Sequence, residues 1–145
     1  MTFTASVWID APVEMVFAFH ERDDALDLLL PKFPPSRVMR RQGGIRTGAT
    51  VVLRMGPVVW QARHTAYERN RVFVDEQVSG PFRRWVHRHE FAAEMGGTRL
   101  TDRVEYEPPA LLPGWLVQRG LKQMFARRHR ITKEACETCG SGTST

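Results

Sequence analysis

The stretch VDEQVSGPFRRWVHRHEF, Val74 to Phe91, decides how the rest of the chain is read. In its second half Trp85, His87, His89 and Phe91 take alternate positions, with Arg84, Val86, Arg88 and Glu90 between them. A strand sends successive side chains to opposite faces. One face of this strand is therefore aromatic and imidazole-bearing, and the other is mostly charged and suited to water. An inward face with two histidines describes a core with a polar-lined hollow, and such a hollow needs waters or a ligand.

On either side of this stretch the pattern is also that of strands. Val38 begins one, Val51, Leu53 and Met55 share a face of the next, and Trp60, Ala62, His64 and Ala66 share a face of a third, Val58 to Tyr67. Val72 to Ser79 precedes the central strand, Phe82 to Glu94, and Thr98 to Glu107 follows it after a turn placed at Gly96-Gly97. Upstream, Phe3, Ala5, Val7 and Ile9 alternate as a half-buried first strand. Asp10 is the expected N-cap of a helix carrying Val13, Val16, Phe17 and His20 at helical spacing, and a short second helix is expected from Asp23 to Leu29. PKFPPS, with prolines at 31, 34 and 35, is a loop. Downstream, Pro108, Pro109 and Pro113 precede a long helix from Leu111 or Gly114 to Glu137, striped by Val117, Leu121, Met124, Arg128, Ile131 and Ala135. The expected organisation is one domain over residues 1–138 and a flexible tail over 139–145. Its class is α+β: a bent antiparallel sheet of six to seven strands around the last helix, with two short helices after the first strand.

The chain has 145 residues, 42% hydrophobic and 26% charged, a composition suited to one globular domain. Net charge is +5, yet acidic residues are interspersed and no run of five like charges occurs. The densest basic set, Arg119, Lys122, Arg127, Arg128, Arg130 and Lys133, falls on the last helix. A basic module for nucleic acid or acidic membrane is thus one reading, although nucleic acid is not the expected partner. No secretory leader pattern and no apolar run of roughly 18 residues is present, so no transmembrane segment and a cytoplasmic location are expected. Two cysteines exclude a disulfide framework, and Cys136-x-x-Cys139 is read as incidental, because a helix C-terminus does not lower a thiol pKa.

Hairpin registers test the hollow. A two-residue Gly96-Gly97 loop sets Phe91 opposite Asp102, His89 opposite Val104 and His87 opposite Tyr106, so Leu100, Asp102, Val104 and Tyr106 extend the inward face and Asp102 lies diagonal to His89. The preceding hairpin has two solutions. A two-residue Gly80-Pro81 turn sends Val72, Val74, Glu76 and Val78 inward, whereas a three-residue loop sets Phe73 opposite His89, Asp75 opposite His87 and Gln77 opposite Trp85.

The run F-x-D-x-Q-x-x-G-P-F-x-x-W-x-H-x-H-x-F, from Phe73 to Phe91, resembles the ligand-binding, polyketide cyclase/dehydrase-like branch of the START-like (SRPBCC) superfamily. Ile9-Asp10-Ala11-Pro12 with Val16-Phe17, Trp60-x-Ala62, and Phe125-x-x-Arg128-His129 resemble it as well. The resemblance spans about residues 3 to 135 and implies a helix-grip fold with a cavity between sheet and helix, and the register with Asp75 inward. His64 departs from it, since the branch more often has an apolar residue there. The superfamily includes lipid carriers, hormone and coenzyme Q binders and aromatase/cyclases, so the fold alone does not choose a function.

The expected ligand-binding set has an aromatic part, Trp60, Phe73, Trp85, Phe91 and Tyr106, and a polar part, His64, Asp75, Gln77, His87, His89, Asp102 and Arg128. Trp115 is a further aromatic candidate. Arg128, on the sheet-facing stripe, requires Asp75, Asp102 or a ligand carboxylate as partner, unless it snorkels to the helix edge. The main reading is a protein that holds a small hydrophobic or aromatic molecule, alone or as a homodimer, without cofactor or metal. The alternative is a cyclase or dehydratase in which His87 or His89, with Asp102 or Asp75, acts as acid and base. His87-x-His89 also has the spacing of a metal-chelating pair, a weak signal when alone.

Overall fold

A computed structural model describes residues 1–141, with side chains as far as Thr138. The elements are β1 (Thr2–Ile9), α1 (Val13–Glu21), α2 (Ala25–Leu29), β2 (Ser36–Gln42), β3 (Thr50–Met55), β4 (Val58–Glu68), β5 (Val72–Ser79), β6 (Arg84–Glu94), β7 (Gly97–Glu107) and α3 (Gly114–Ser141). The strands form one curved antiparallel sheet in the order β1-β7-β6-β5-β4-β3-β2, so every neighbour after the β1–β7 pair is a hairpin partner. The α+β helix-grip architecture is present, with α3 lying across the inner face beside β1 and with α1 and α2 packed on α3.

Several local expectations are corrected. The β6–β7 turn is Met95-Gly96, with Glu94 opposite Gly97. Both turn residues have positive φ, 49° and 78°, as a type I′ hairpin requires. Gly97 serves a different purpose: a Cβ there would overlap the Ile9 carbonyl oxygen and lie 2.7 Å from the Trp8 ring. The register is therefore two residues from the expected one, which preserves the faces but changes the partners. Asp102 stands directly opposite His89, and Val104 opposite His87. Asp10 does not cap α1. The chain turns first, with Ala11 N–H bonded to the Ile9 carbonyl at 2.9 Å, and Pro12 occupies the N-cap without a side-chain bond. The Asp10 N–H instead donates to Glu137 Oε2 at 3.1 Å. α2 begins two residues later than expected, after an Arg22–Asp24 ion pair of 2.6 Å. α3 continues through Ser141, because a single glycine at 140 does not stop a helix; the rest of the expected tail, 142–145, lies outside the described residues. A bulge between His64 and Ala66 shifts β4, pairing Tyr67 with Phe73. Tyr67 thereby takes the inward place expected for Ala66 and packs edge-on against Phe17 at 5.7 Å.

The β5–β6 pairing follows the Asp75-inward alternative, with Phe73 opposite His89 and Asp75 opposite His87. Gln77 is then free to close the loop, accepting from Phe82 N–H at 3.2 Å and donating to the Phe82 carbonyl at 2.7 Å.

Apolar side chains collect in two clusters along α3. One contains Ile9, Phe17, Phe73, Phe91, Leu100 and Cys136, the other Phe3, Trp85, Val104, Tyr106, Leu121 and Phe125. Three of the elements that cross from one cluster to the other carry polar residues at the join: His87 and His89 on β6, Asp102 on β7 and His129 on α3; β1 crosses with apolar Ala5 and Val7. The interior is thus two apolar blocks with a polar layer between them. No helix of the described residues is long and apolar enough to cross a membrane.

Candidate functional site

The polar layer is built around Asp102. Its Oδ1 accepts from His87 Nε2 at 2.7 Å and lies 3.2 Å from His89 Nδ1, while Oδ2 accepts from His129 Nε2 at 2.6 Å. Burial alone raises a carboxyl pKa, but hydrogen bonds from His129, His87 and His89 outweigh it and hold Asp102 well below the usual carboxylate range. Asp75 is the second anion. Burial again opposes ionisation, yet the 2.9 Å bond from His89 Nε2 and the nearby His87 lower its pKa to about 2.

The two strand histidines differ electrically. Burial works against charge on His89, but Asp102 and Asp75 together prevail and raise its pKa, which favours the imidazolium with a carboxylate beside each ring nitrogen. Its ring also stacks between Phe73 and His87, at centroid distances of 3.8 and 3.6 Å, an arrangement that favours a cation over an aromatic face. Burial, with a contribution from the neighbouring His89, lowers the pKa of His87. Burial thus favours the neutral ring, and the ionised Asp102 places its proton on Nε2. Its Nδ1 lies 3.9 Å from Asp75 Oδ2.

These groups form one wall of a cavity of about 150 Å³. Asp75, His87 and His89 line it together with His64, His20 and Arg128. Apart from Arg41, the rest of the lining is largely apolar: Leu29 and Leu30 at the end of α2, Ile45, Val51, Leu53 and Met55 around β3, and Met124 of α3. Trp60 and Trp85 close one end, their rings edge-on at 5.0 Å. Arg127 ties the α2 wall to α3 by donating to the carbonyls of Leu29 and Leu30 at 3.3 and 2.9 Å, a cation satisfying helix C-terminal carbonyls.

Of the residues expected at the site, Trp60, His64, Phe73, Asp75, Trp85, His87, His89 and Arg128 line the cavity. Asp102 lies behind the histidines and orients them. Gln77, Phe91 and Tyr106 are elsewhere: Gln77 closes the β5–β6 loop, and Phe91 and Tyr106 belong to the two apolar clusters. Trp115 is 67% exposed and takes no part. Missed by sequence reading were His20, His129, Arg41 and the α2 leucines. The helical spacing of Val16, Phe17 and His20, and the four-residue step from Phe125 to His129, carried the signal for two of them. Nothing local marks Arg41 or α2 as a wall, because loop and short-helix placement depends on distant contacts.

Asp75, His87 and His89 offer three ligand atoms within 4.8 Å of one another, a set that could hold a metal ion. In this arrangement His89 Nε2 and Asp75 Oδ2 are bonded to each other. The basic set expected on α3 does not form a continuous surface. Arg127 and Arg128 turn inward, and Lys133 donates to the Trp8 carbonyl at 2.9 Å and to Glu137 at 2.6 Å.

Residues 9–130 match the family model described as polyketide cyclase / dehydrase and lipid transport. No curated protein matches the sequence. Among solved structures, the chain is similar to a nucleoside-diphosphate sugar epimerase from Corynebacterium glutamicum, with 28% identity and a TM-score of 0.75 over 91% of this chain. It spans only 28% of that chain's length. A START superfamily protein from Mycobacterium smegmatis has the same fold, with 14% identity and a TM-score of 0.74, covering 95% of this chain and 98% of that one.

Proposed function

This chain belongs to the polyketide cyclase / dehydrase and lipid transport family, and from that premise we propose that it binds a small hydrophobic molecule with one polar end, in the cavity between sheet and α3. The observation that carries this reading is the make-up of the cavity lining. Apolar side chains from α2, β3 and α3 make up most of the lining, and a few polar groups, among them His64, Asp75, His87, His89 and Arg128, share it. Sites with a mainly apolar lining and a few convergent polar groups orient a ligand by its polar end. A cavity near 150 Å³ accommodates a ligand about the size of benzene in an unrelated protein. Native mass spectrometry of freshly purified protein tests the reading: a co-purified small molecule, released by denaturation, is the expected result. Failure of every small apolar compound to bind in calorimetric titration would remove it.

A second reading is favoured by one atom. His87 lines the cavity and Asp102 holds its Nε2 at 2.7 Å, so a neutral ring, which burial favours, would carry its lone pair on Nδ1. A neutral histidine oriented by a buried carboxylate can take a proton beside a ligand carbonyl and return it to a leaving hydroxyl, the requirement of a cyclase or dehydratase. In this reading His87 touches the substrate and Asp102 positions it. Turnover of a cyclising or dehydrating substrate should fall at least about a hundredfold in His87→Gln, with the thermal transition retained; unchanged turnover would dismiss His87 as the base.

A further inference from the structure

The buried side-chain polar atoms that find no hydrogen-bond partner are informative here. Among the described residues there are three, His64 Nδ1, Tyr106 Oη and Arg128 Nε, and two of these belong to residues lining the cavity described above. Arg128 is the more consequential, because a guanidinium away from water with an unpaired N–H is costly. Asp102 and Asp75 offset its charge from nearby, yet neither accepts from its Nε. Asp102 is occupied by His87, His89 and His129, and Asp75 by His89. The guanidinium carbon lies 5.6 Å from the centroid of the Phe125 ring, which helps hold the side chain at the cavity.

We infer that the cavity's ligand is a monoanion, an apolar carboxylic acid with a body about the size of one substituted aromatic ring, and that Arg128 receives the carboxylate. This inference rests on the ligand-binding reading above and names the class of ligand. A guanidinium presents a planar fork of donors that matches a carboxylate in bidentate fashion, and the cavity leaves that fork without a protein acceptor at Nε. Charge balance agrees. Asp75 and Asp102 carry two negative charges, while His89, Arg128 and Arg41 carry three positive ones when His89 is protonated. Arg41, at the cavity, donates to the backbone carbonyls of Arg22 and Asp23 and so keeps its charge uncancelled by those bonds. The excess is one positive charge, which one carboxylate neutralises. A phosphate dianion would overshoot it beside two carboxylates already present. The apolar walls from α2, β3 and Met124 take the body of the acid.

Isothermal titration of the full chain with 4-ethylbenzoate and with its neutral isostere 4-ethylbenzamide tests this. Wild type should bind the acid roughly ten- to hundredfold more tightly than the amide, the range expected for a charge-assisted hydrogen-bonded pair, and Arg128→Gln should reduce that preference to about twofold or less. Arg130→Gln, which removes the same charge from an exposed position on the same helix, should leave the preference intact. Equal binding of acid and amide by wild type overturns the inference while leaving the binding reading in place. So does a preference that survives in Arg128→Gln. Binding of neither compound counts against both. The wild-type comparison needs no variant, so a folding defect in Arg128→Gln would not shield the inference.

Discussion

Asp102 and Arg128 are charged groups on the same inner face of the molecule, and they are treated in opposite ways. Asp102 is surrounded by three imidazole donors at 2.6 to 3.2 Å. Arg128, one residue before His129 on α3, has a buried Nε with no partner. A protein that needed only a stable interior would satisfy both groups or bury neither. The contrast separates what holds the polar layer together from what the layer offers to an occupant: the carboxylate is structural and positioning, and the guanidinium is left open toward the cavity.

The contrast breaks most readily at Asp102. Asp102→Ala leaves three buried imidazoles without their common acceptor and should cost about 3–5 kcal/mol, read as a lower urea midpoint at unchanged slope. A cost below about 1 kcal/mol, the range of exposed ion pairs, would mean the layer is not the buried network described. His129→Leu removes one of the three donors and should cost roughly 1–3 kcal/mol; the same titration checks it, and a gain in stability would show that His129 is dispensable to the network.

Acid provides a graded test of the same layer. Burial lowers the pKa of His20 to about 4, even though its Nδ1–H donates to the Val16 carbonyl at 2.9 Å. A lowered histidine pKa means that the unfolded chain takes the proton first, so its contribution to stability is complete above pH 6.5 and declines as pH falls toward about 4. Asp75 has the same sign in a lower window: its contribution is complete above the ordinary carboxyl value and is lost as pH falls toward about 2. Chemical denaturation from pH 7 to 3 should therefore show declining stability, and His20→Leu should flatten the upper part of that decline. A variant with an unchanged profile between pH 6.5 and 4 would exclude His20 as its source. Arg128→Met is expected to have the smallest effect on the empty protein, within about 1 kcal/mol of wild type or stabilising, because it removes a buried charge that Asp102 and Asp75 offset only in part and whose Nε has no partner. A thermal transition well below wild type would place Arg128 among the structural groups and erase the contrast with Asp102.

Much of this arrangement was legible in the chain. The alternation Trp85, His87, His89, Phe91 placed both histidines indoors, and the three- and four-residue steps from Val117 to Ala135 placed α3 against the sheet. The misreadings have a common cause. Gly96-Gly97 looks like a turn because both residues tolerate positive φ, but Gly97 is required by the close approach of Trp8 and Ile9, nearly ninety residues earlier in the chain. The two-residue register error that follows keeps the faces and loses the partners, so Asp102 was placed diagonal to His89 when it stands opposite. Gln77 had the right face and the right spacing for the cavity, yet the loop it closes was nearer.

The amino-acid order alone determined which side chains point inward on β6, β7 and α3, because pleat and helical pitch are local geometry repeated at every residue; on β4 a bulge, and on β5 the hairpin register, decided the face. Which of those inward groups meet was decided only by tertiary structure. The three imidazoles reach Asp102 from β6 and α3, Asp75 reaches His89 from β5, and Arg128 Nε is left without an acceptor, because hairpin register and helix placement are set by contacts between residues far apart in the chain. A polar group's partner, or the lack of one, is a property of that assembled packing.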